Sequence, residues 1–120
     1  MAVSILIVDD DPDFLALASR VVKSKGGEVV ATAVDAASAL IAANATRPQA
    51  ALVDVGLPDR NGIDLGTELA ALPWGPKVVL TSTDDDIDDE IERSDGPVKL
   101  PFIAKENLAG ERLFRLLGVE

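Results

Sequence analysis

Ser4-Ile5-Leu6-Ile7-Val8-Asp9-Asp10-Asp11-Pro12 is the stretch that decides how the rest of this chain is read. Ile5 to Val8 is apolar at every position, with no polar alternation, as a central parallel strand covered on both faces requires. Three acids end that run. Asp11 reads as a helix N-cap, with Pro12 at the first helical position, where its missing N–H costs nothing. Phe14, Leu17, Ala18, Val21 and Val22 then recur at helical spacing and predict an inward-facing stripe. Lys23 and Lys25 suit the negative end of that helix, and Gly26-Gly27 stop it.

The same unit repeats along the chain. Glu28–Ala33 reads as a second strand, followed by a helix over Ala36–Ala45 capped by Asp35 and ending near Pro48. Ala50–Val53 is a third strand and delivers Asp54 at its end. The turn-rich segment Val55 to Gly62 is loop, Ile63–Leu72 resumes a helical period, and Pro76 precedes a fourth strand, Lys77–Leu80. Asp84 to Ser94 is a weak helix with Ile87 and Ile91 as its apolar anchors. Phe102–Ala104 is a fifth strand, and a last helix runs from about Asn107 to Leu117 with Leu113, Leu116 and Leu117 inward.

Five strands interleaved with five helices predict a three-layer α/β sandwich of (βα)5 type, all strands parallel and all crossovers right-handed. Ligands of such sheets sit beyond the carboxyl ends of the strands. Asp9, Asp10, Asp54, Thr81 and Lys105 all fall at or just past those ends.

Composition narrows the chemistry. A length of 120 residues fits one domain, read here as 1–120 with no output domain of its own. Aromatic residues are 3% of the chain, so Ala, Val, Leu and Ile must fill the core. The absence of cysteine and histidine excludes disulfides, thiol catalysis, imidazole acid/base chemistry and His- or Cys-ligated zinc. Any metal must therefore be a hard, oxygen-preferring ion such as Mg2+ or Mn2+. A formal charge of −10 argues against direct contact with nucleic acid. Much of it is local: between Asp84 and Asp95, eight acids against Arg93 leave −7, either a solvated face or a docking patch for a basic partner. No basic stretch precedes a long apolar one at the N-terminus, so a cytoplasmic protein with no membrane span is expected.

Three carboxylates meeting in one cleft repel one another unless a cation is shared among them. A metal ion there would offset the repulsion between a carboxylate nucleophile and a phosphoryl group, and Lys105 would add a second positive charge. Plainer roles stand beside these. Asp11 is best read as a cap alone. Thr81 could be a β-branched strand residue, Phe102 simple core, and Lys99 is a rival to Lys105.

Ile5-Leu6-Ile7-Val8-Asp9-Asp10-Asp11-Pro12, Val53-Asp54-x-x-Leu57-Pro58-Asp59-x-x-Gly62, Leu80-Thr81-Ser82 and Phe102-Ile103-Ala104-Lys105 together resemble a response-regulator receiver domain. The match covers essentially the whole chain, in order. The resemblance implies a flavodoxin-like sheet of order 2-1-3-4-5 and phosphotransfer to Asp54 from a histidine kinase or phosphotransfer protein. It implies Mg2+ held by Asp9, Asp10, Asp54 and the Gly56 carbonyl. Thr81 and Lys105 would bind phosphoryl oxygens, and Thr81 and Phe102 would switch a surface presented to a downstream protein, with dimerisation open. Phosphorylation and dephosphorylation would be self-catalysed rather than those of a conventional enzyme. Gly56 and Thr83 stand where the family tunes phosphoryl lifetime. The segment between Thr81 and Lys105 departs from the family in its acidity and length. Two competitors are a receiver-like module that binds partners without phosphorylation, and a hydrolase using Asp9-x-Asp11, in which Pro12 is out of place.

Overall fold

The structure, a computed structural model, describes residues 2–82 and 100–119. The expected helix over 84–94, Thr83 and Lys99 lie outside the described residues.

Along the chain run β1 (Ser4–Val8), α1 (Pro12–Ser24), β2 (Glu28–Ala33), α2 (Ala36–Thr46), β3 (Ala50–Asp54), α3 (Gly62–Ala70), β4 (Lys77–Ser82), β5 (Phe102–Ala104) and α4 (Glu111–Leu117). The five strands form one sheet of order β2-β1-β3-β4-β5, every neighbouring pair parallel. This is the flavodoxin-like arrangement that the resemblance implies.

Alternation along the strands sends side chains to two separate clusters. Ile5, Ile7, Leu52, Val79 and Ile103 meet Phe14, Ala18 and Val22 of α1 and Leu113, Phe114 and Leu117 of α4. Leu6, Val8, Val53, Val78 and Leu80 meet Ala36, Ala39 and Ala43 of α2 and Ile63, Leu65 and Leu69 of α3. The alanines let α2 lie close to the sheet.

Helix starts follow the sequence signals. Asp11 accepts the Asp13 N–H at 3.0 Å, Asp35 accepts that of Ser38 at 2.8 Å, and Asn61 accepts that of Ile63 at 2.8 Å. Gly26, at φ +93°, closes the end of α1 in a conformation glycine adopts without strain. At the amino ends of β3 and β4, the Trp74 indole N–H donates to the Pro48 carbonyl at 2.9 Å, and the Arg47 guanidinium lies over its ring.

The last helix differs from expectation. A 3-10 turn over Lys105–Asn107 comes first, and α4 starts only at Glu111. Gly110, a poor helix former, sits extended at φ −74°, ψ 148° and donates to Asn107 O at 3.0 Å, which closes a separate turn. Leu108 still anchors that turn in the core. Leu17 also departs from the α1 stripe and is 47% exposed. It lies about 100° round the helix from Ala18, on the outer side of the line through Phe14, Ala18 and Val22.

Candidate functional site

Strand register assembles the site. Val8 pairs with Val53, so Asp9 and Asp54 emerge side by side from β1 and β3. Asp54 pairs with Thr81, and Ser82 pairs with Ala104, the residue before Lys105. β3 and β4 extend further than the sequence suggested: Asp54 and Thr81 are strand residues, held by the ladder rather than placed on loops. Strand order reverses between β1 and β3, so the cluster occupies the crevice where open α/β sheets bind ligands.

Asp9 is fully buried and Asp54 nearly so, while Asp10 faces solvent. One carboxylate oxygen from each lies within 4.8 Å of the others. Lys105 reaches in from the opposite side, its Nζ 2.7 Å from Asp9 Oδ2 and 3.5 Å from Asp54 Oδ1. Asp9 Oδ1 accepts the Asp11 N–H at 2.9 Å. Asp11 caps α1 through its Oδ1, the role read for it from the sequence.

The electrostatics follow from burial. Desolvation and the neighbouring Asp9 charge push the Asp54 carboxyl up to about 6, against the pull of Lys105 and the Gly56 N–H. Burial raises Asp9 as well, although Lys105 and the Asp11 N–H oppose the shift. Burial alone would lower Lys105, but its hydrogen bond to Asp9 and the two carboxylate charges outweigh that, and its pKa stands above the ordinary lysine value. Thr81 Oγ1 is buried and has no hydrogen-bond partner among the described residues. A buried hydroxyl left unpaired costs free energy, so it has capacity for a ligand oxygen.

The loop from Val55 to Asn61 forms the rim. The N–H of Gly56 donates to the Asp54 carboxylate. Gly62 packs directly beneath: a Cβ there would overlap the Asp54 carbonyl oxygen and crowd the Val55 Cα, and its own N–H donates to Val55 O at 2.9 Å. Only glycine permits that approach.

Asp59 is the positioning residue that the sequence reading missed. Its Oδ1 and Oδ2 accept the N–H groups of Ala36 and Ala37 at 2.9 and 3.1 Å, tying the rim loop to the start of α2. These bonds, led by the one from Ala36, hold its carboxyl below the ordinary value. An acid inside a turn-rich loop was the available signal, but its target lies 23 residues away.

Phe102 is half-buried at the start of β5, paired with Leu80 one step before Thr81 on β4, and it packs against the α2/α3-side cluster.

The residues present fit a hard divalent ion. The donors are all oxygen, two of the three acids are buried beside each other, and burial raises both carboxyls, a cost that a cation would offset.

A family model, the response regulator receiver domain, matches residues 5–106. The transcriptional regulatory protein PrrA of Mycobacterium tuberculosis is 36% identical over 109 residues, covering 88% of this chain and 46% of PrrA. The DNA-binding response regulator MtrA of Mycolicibacterium smegmatis is 36% identical over 111 residues, covering 90% of this chain and 48% of MtrA. The chain thus spans about half the length of the curated relatives it matches. Among solved structures, the signal receiver domain of a modulated diguanylate cyclase from Desulfovibrio desulfuricans G20 shares the fold at a TM-score of 0.80 and 23% identity, covering 98% of this chain and 92% of that one. NtrX from Brucella abortus aligns at a TM-score of 0.76 and 29% identity, covering 98% of this chain and 27% of that one. Response regulators receive phosphate from histidine kinases, and their receiver domains use Mg2+ at an acidic pocket. With this ordered match and these strand-end acids in one crevice, the chain belongs to the response-regulator receiver domains of two-component signalling.

Proposed function

We propose that Asp54 is the phosphoryl acceptor of this receiver domain. The observation that carries the reading is the meeting of Asp9, Asp10, Asp54 and the Lys105 ammonium beside the buried Thr81 hydroxyl, which has no hydrogen-bond partner among the described residues. An Asp54 carboxylate oxygen attacks phosphorus of a phosphohistidine on a histidine kinase or phosphotransfer protein. The P–N bond breaks, and the leaving imidazole takes up a proton. Water later attacks the same phosphorus and releases inorganic phosphate, which restores the carboxylate.

Asp9, Asp10, Asp54 and the Gly56 carbonyl are the residues that would hold Mg2+, with Mn2+ an acceptable substitute. When bound, the ion supplies charge neutralisation for an approach that two negative groups otherwise resist. Lys105 offers its ammonium to one phosphoryl oxygen and Thr81 its hydroxyl to another. Because Thr81 belongs to the β4 ladder and Phe102 to the adjacent strand, drawing Thr81 towards a phosphoryl oxygen shifts the β4–β5 edge and the surface that a downstream protein meets. The setting is cytoplasmic, and no nucleic-acid contact is assigned to this chain of 120 residues, whose formal net charge is −10.

Incubation with a small acylphosphate and Mg2+, followed by mass spectrometry, tests the reading. The native protein gains one phosphoryl group and Asp54→Asn gains none. An unchanged native mass would return the chain to the phosphorylation-independent class of partner-binding module.

A further inference from the structure

The Lys105 ammonium has a third neighbour besides the two carboxylates: it lies over the face of Phe14, 4.6 Å from the ring centroid. Phe14 stands in the first turn of α1, is 8% exposed, and shares its hydrophobic cluster with Ile103 and Leu108, the core residues that flank Lys105 in sequence. The ring is therefore fixed by packing before the ammonium reaches it.

We infer that Phe14 is the positioning residue for Lys105, and that its aromatic face holds the ammonium at the acceptor site when the carboxylates are engaged elsewhere. This rests on the phosphoryl-acceptor reading above. Lys105 is held by Asp9 at 2.7 Å and Asp54 at 3.5 Å, two of the acids that fit a divalent ion. Once those carboxylates share their charge with a metal and Asp54 presents an oxygen to phosphorus, their hold on the ammonium weakens. The Phe14 face does not take part in that exchange. An aromatic face attracts a cation through its quadrupole but forms no ion pair with it. It fixes the place of Lys105 and leaves its charge and N–H donors for a phosphoryl oxygen. An aliphatic residue of similar volume would fill the same space without that attraction.

Phe14→Leu and Phe14→Trp separate the electrostatic role from packing, and each is read two ways. In the metal-free protein, NMR of the Lys105 ε-methylene should show an upfield ring-current displacement, lost in Phe14→Leu and kept in Phe14→Trp. In phosphorylation by a small acylphosphate with Mg2+, Phe14→Leu should slow the rate about five-fold. Mg2+ affinity, measured by calorimetry without donor, should stay unchanged, and Phe14→Trp should recover most of the rate. In a Lys105→Met background, Phe14→Leu should slow the reaction no further, which a purely structural role would not predict. The inference is overturned if folded Phe14→Leu reacts at the native rate. It is also overturned if the loss persists without Lys105, or if Trp fails to rescue. A native protein inert to the donor instead sinks the acceptor reading, and this inference with it.

Discussion

Asp54 and Asp59 are the same residue type five positions apart, yet the fold moves their carboxyls in opposite directions. Asp54 ends a buried strand, where desolvation and a second acid drive its pKa up to about 6. Asp59 sits on the exposed rim, where two backbone N–H groups of α2 hold it below the ordinary value. The floor of the site carries an acid at a cost, while the rim uses an acid to fasten the loop. On the proposed reading, chemistry and support are thus divided between neighbouring segments, with Gly62 as the joint: it packs under the Asp54 carbonyl at the start of α3.

Removing the floor acid is the severest test of that division. Asp54→Asn should abolish acylphosphate-dependent mass gain while Asp59→Ala retains it; retained phosphorylation in Asp54→Asn would erase the distinction between the two acids. Breaking the joint comes next. Gly62→Ala forces a methyl group into the backbone of β3, and denaturant unfolding should show a loss of about 3 kcal/mol or more. A loss below about 1 kcal/mol would mean that the loop relaxes freely.

The floor acid also has a thermodynamic signature. Its folded pKa, about 6, exceeds the ordinary 3.8. The folded chain therefore binds the proton more tightly, and the stability this contributes is full below pH 3.8 and lost as pH rises through 6. Metal-free Asp54→Asn should accordingly gain on the native protein across that window, reaching on the order of 2 kcal/mol at pH 7.5. Saturating Mg2+ should shrink the gap. A flat difference between pH 4 and pH 7.5 would show that Lys105 already neutralises the site.

The rim gives the smallest effect and the opposite sign. Asp59→Ala should lower the melting temperature slightly at neutral pH. Because its folded pKa is depressed, that penalty is present above pH 3.8 and vanishes as pH falls through the folded value. An Asp59→Ala penalty that grew on acidification would contradict its capping role.

Much of this was legible in the chain because the signals are local. The apolar runs, the caps at Asp11 and Asp35, and the acids closing β1 and β3 each depend on a few adjacent residues. The candidate residues that meet in the crevice could be named because strand ends share one edge of a parallel sheet. Sheet order was not readable from periodicity and came from the resemblance. The strand membership of Thr81 depends on its pairing with Asp54 and Ile103, a cross-strand fact. Asp59 was missed because its partners are remote. The delayed start of α4 turned on Gly110, whose cost is small enough for context to decide.

Trp74 stands before β4 and is bonded to Pro48 before β3, at the amino ends of the strands. It is the one tryptophan in the chain. Its fluorescence is therefore an optical probe anchored at the pole opposite the acidic crevice. Emission changes there follow melting of the sheet as a whole, so unfolding can be tracked by light without interference from ions or phosphodonors added to probe the far pole.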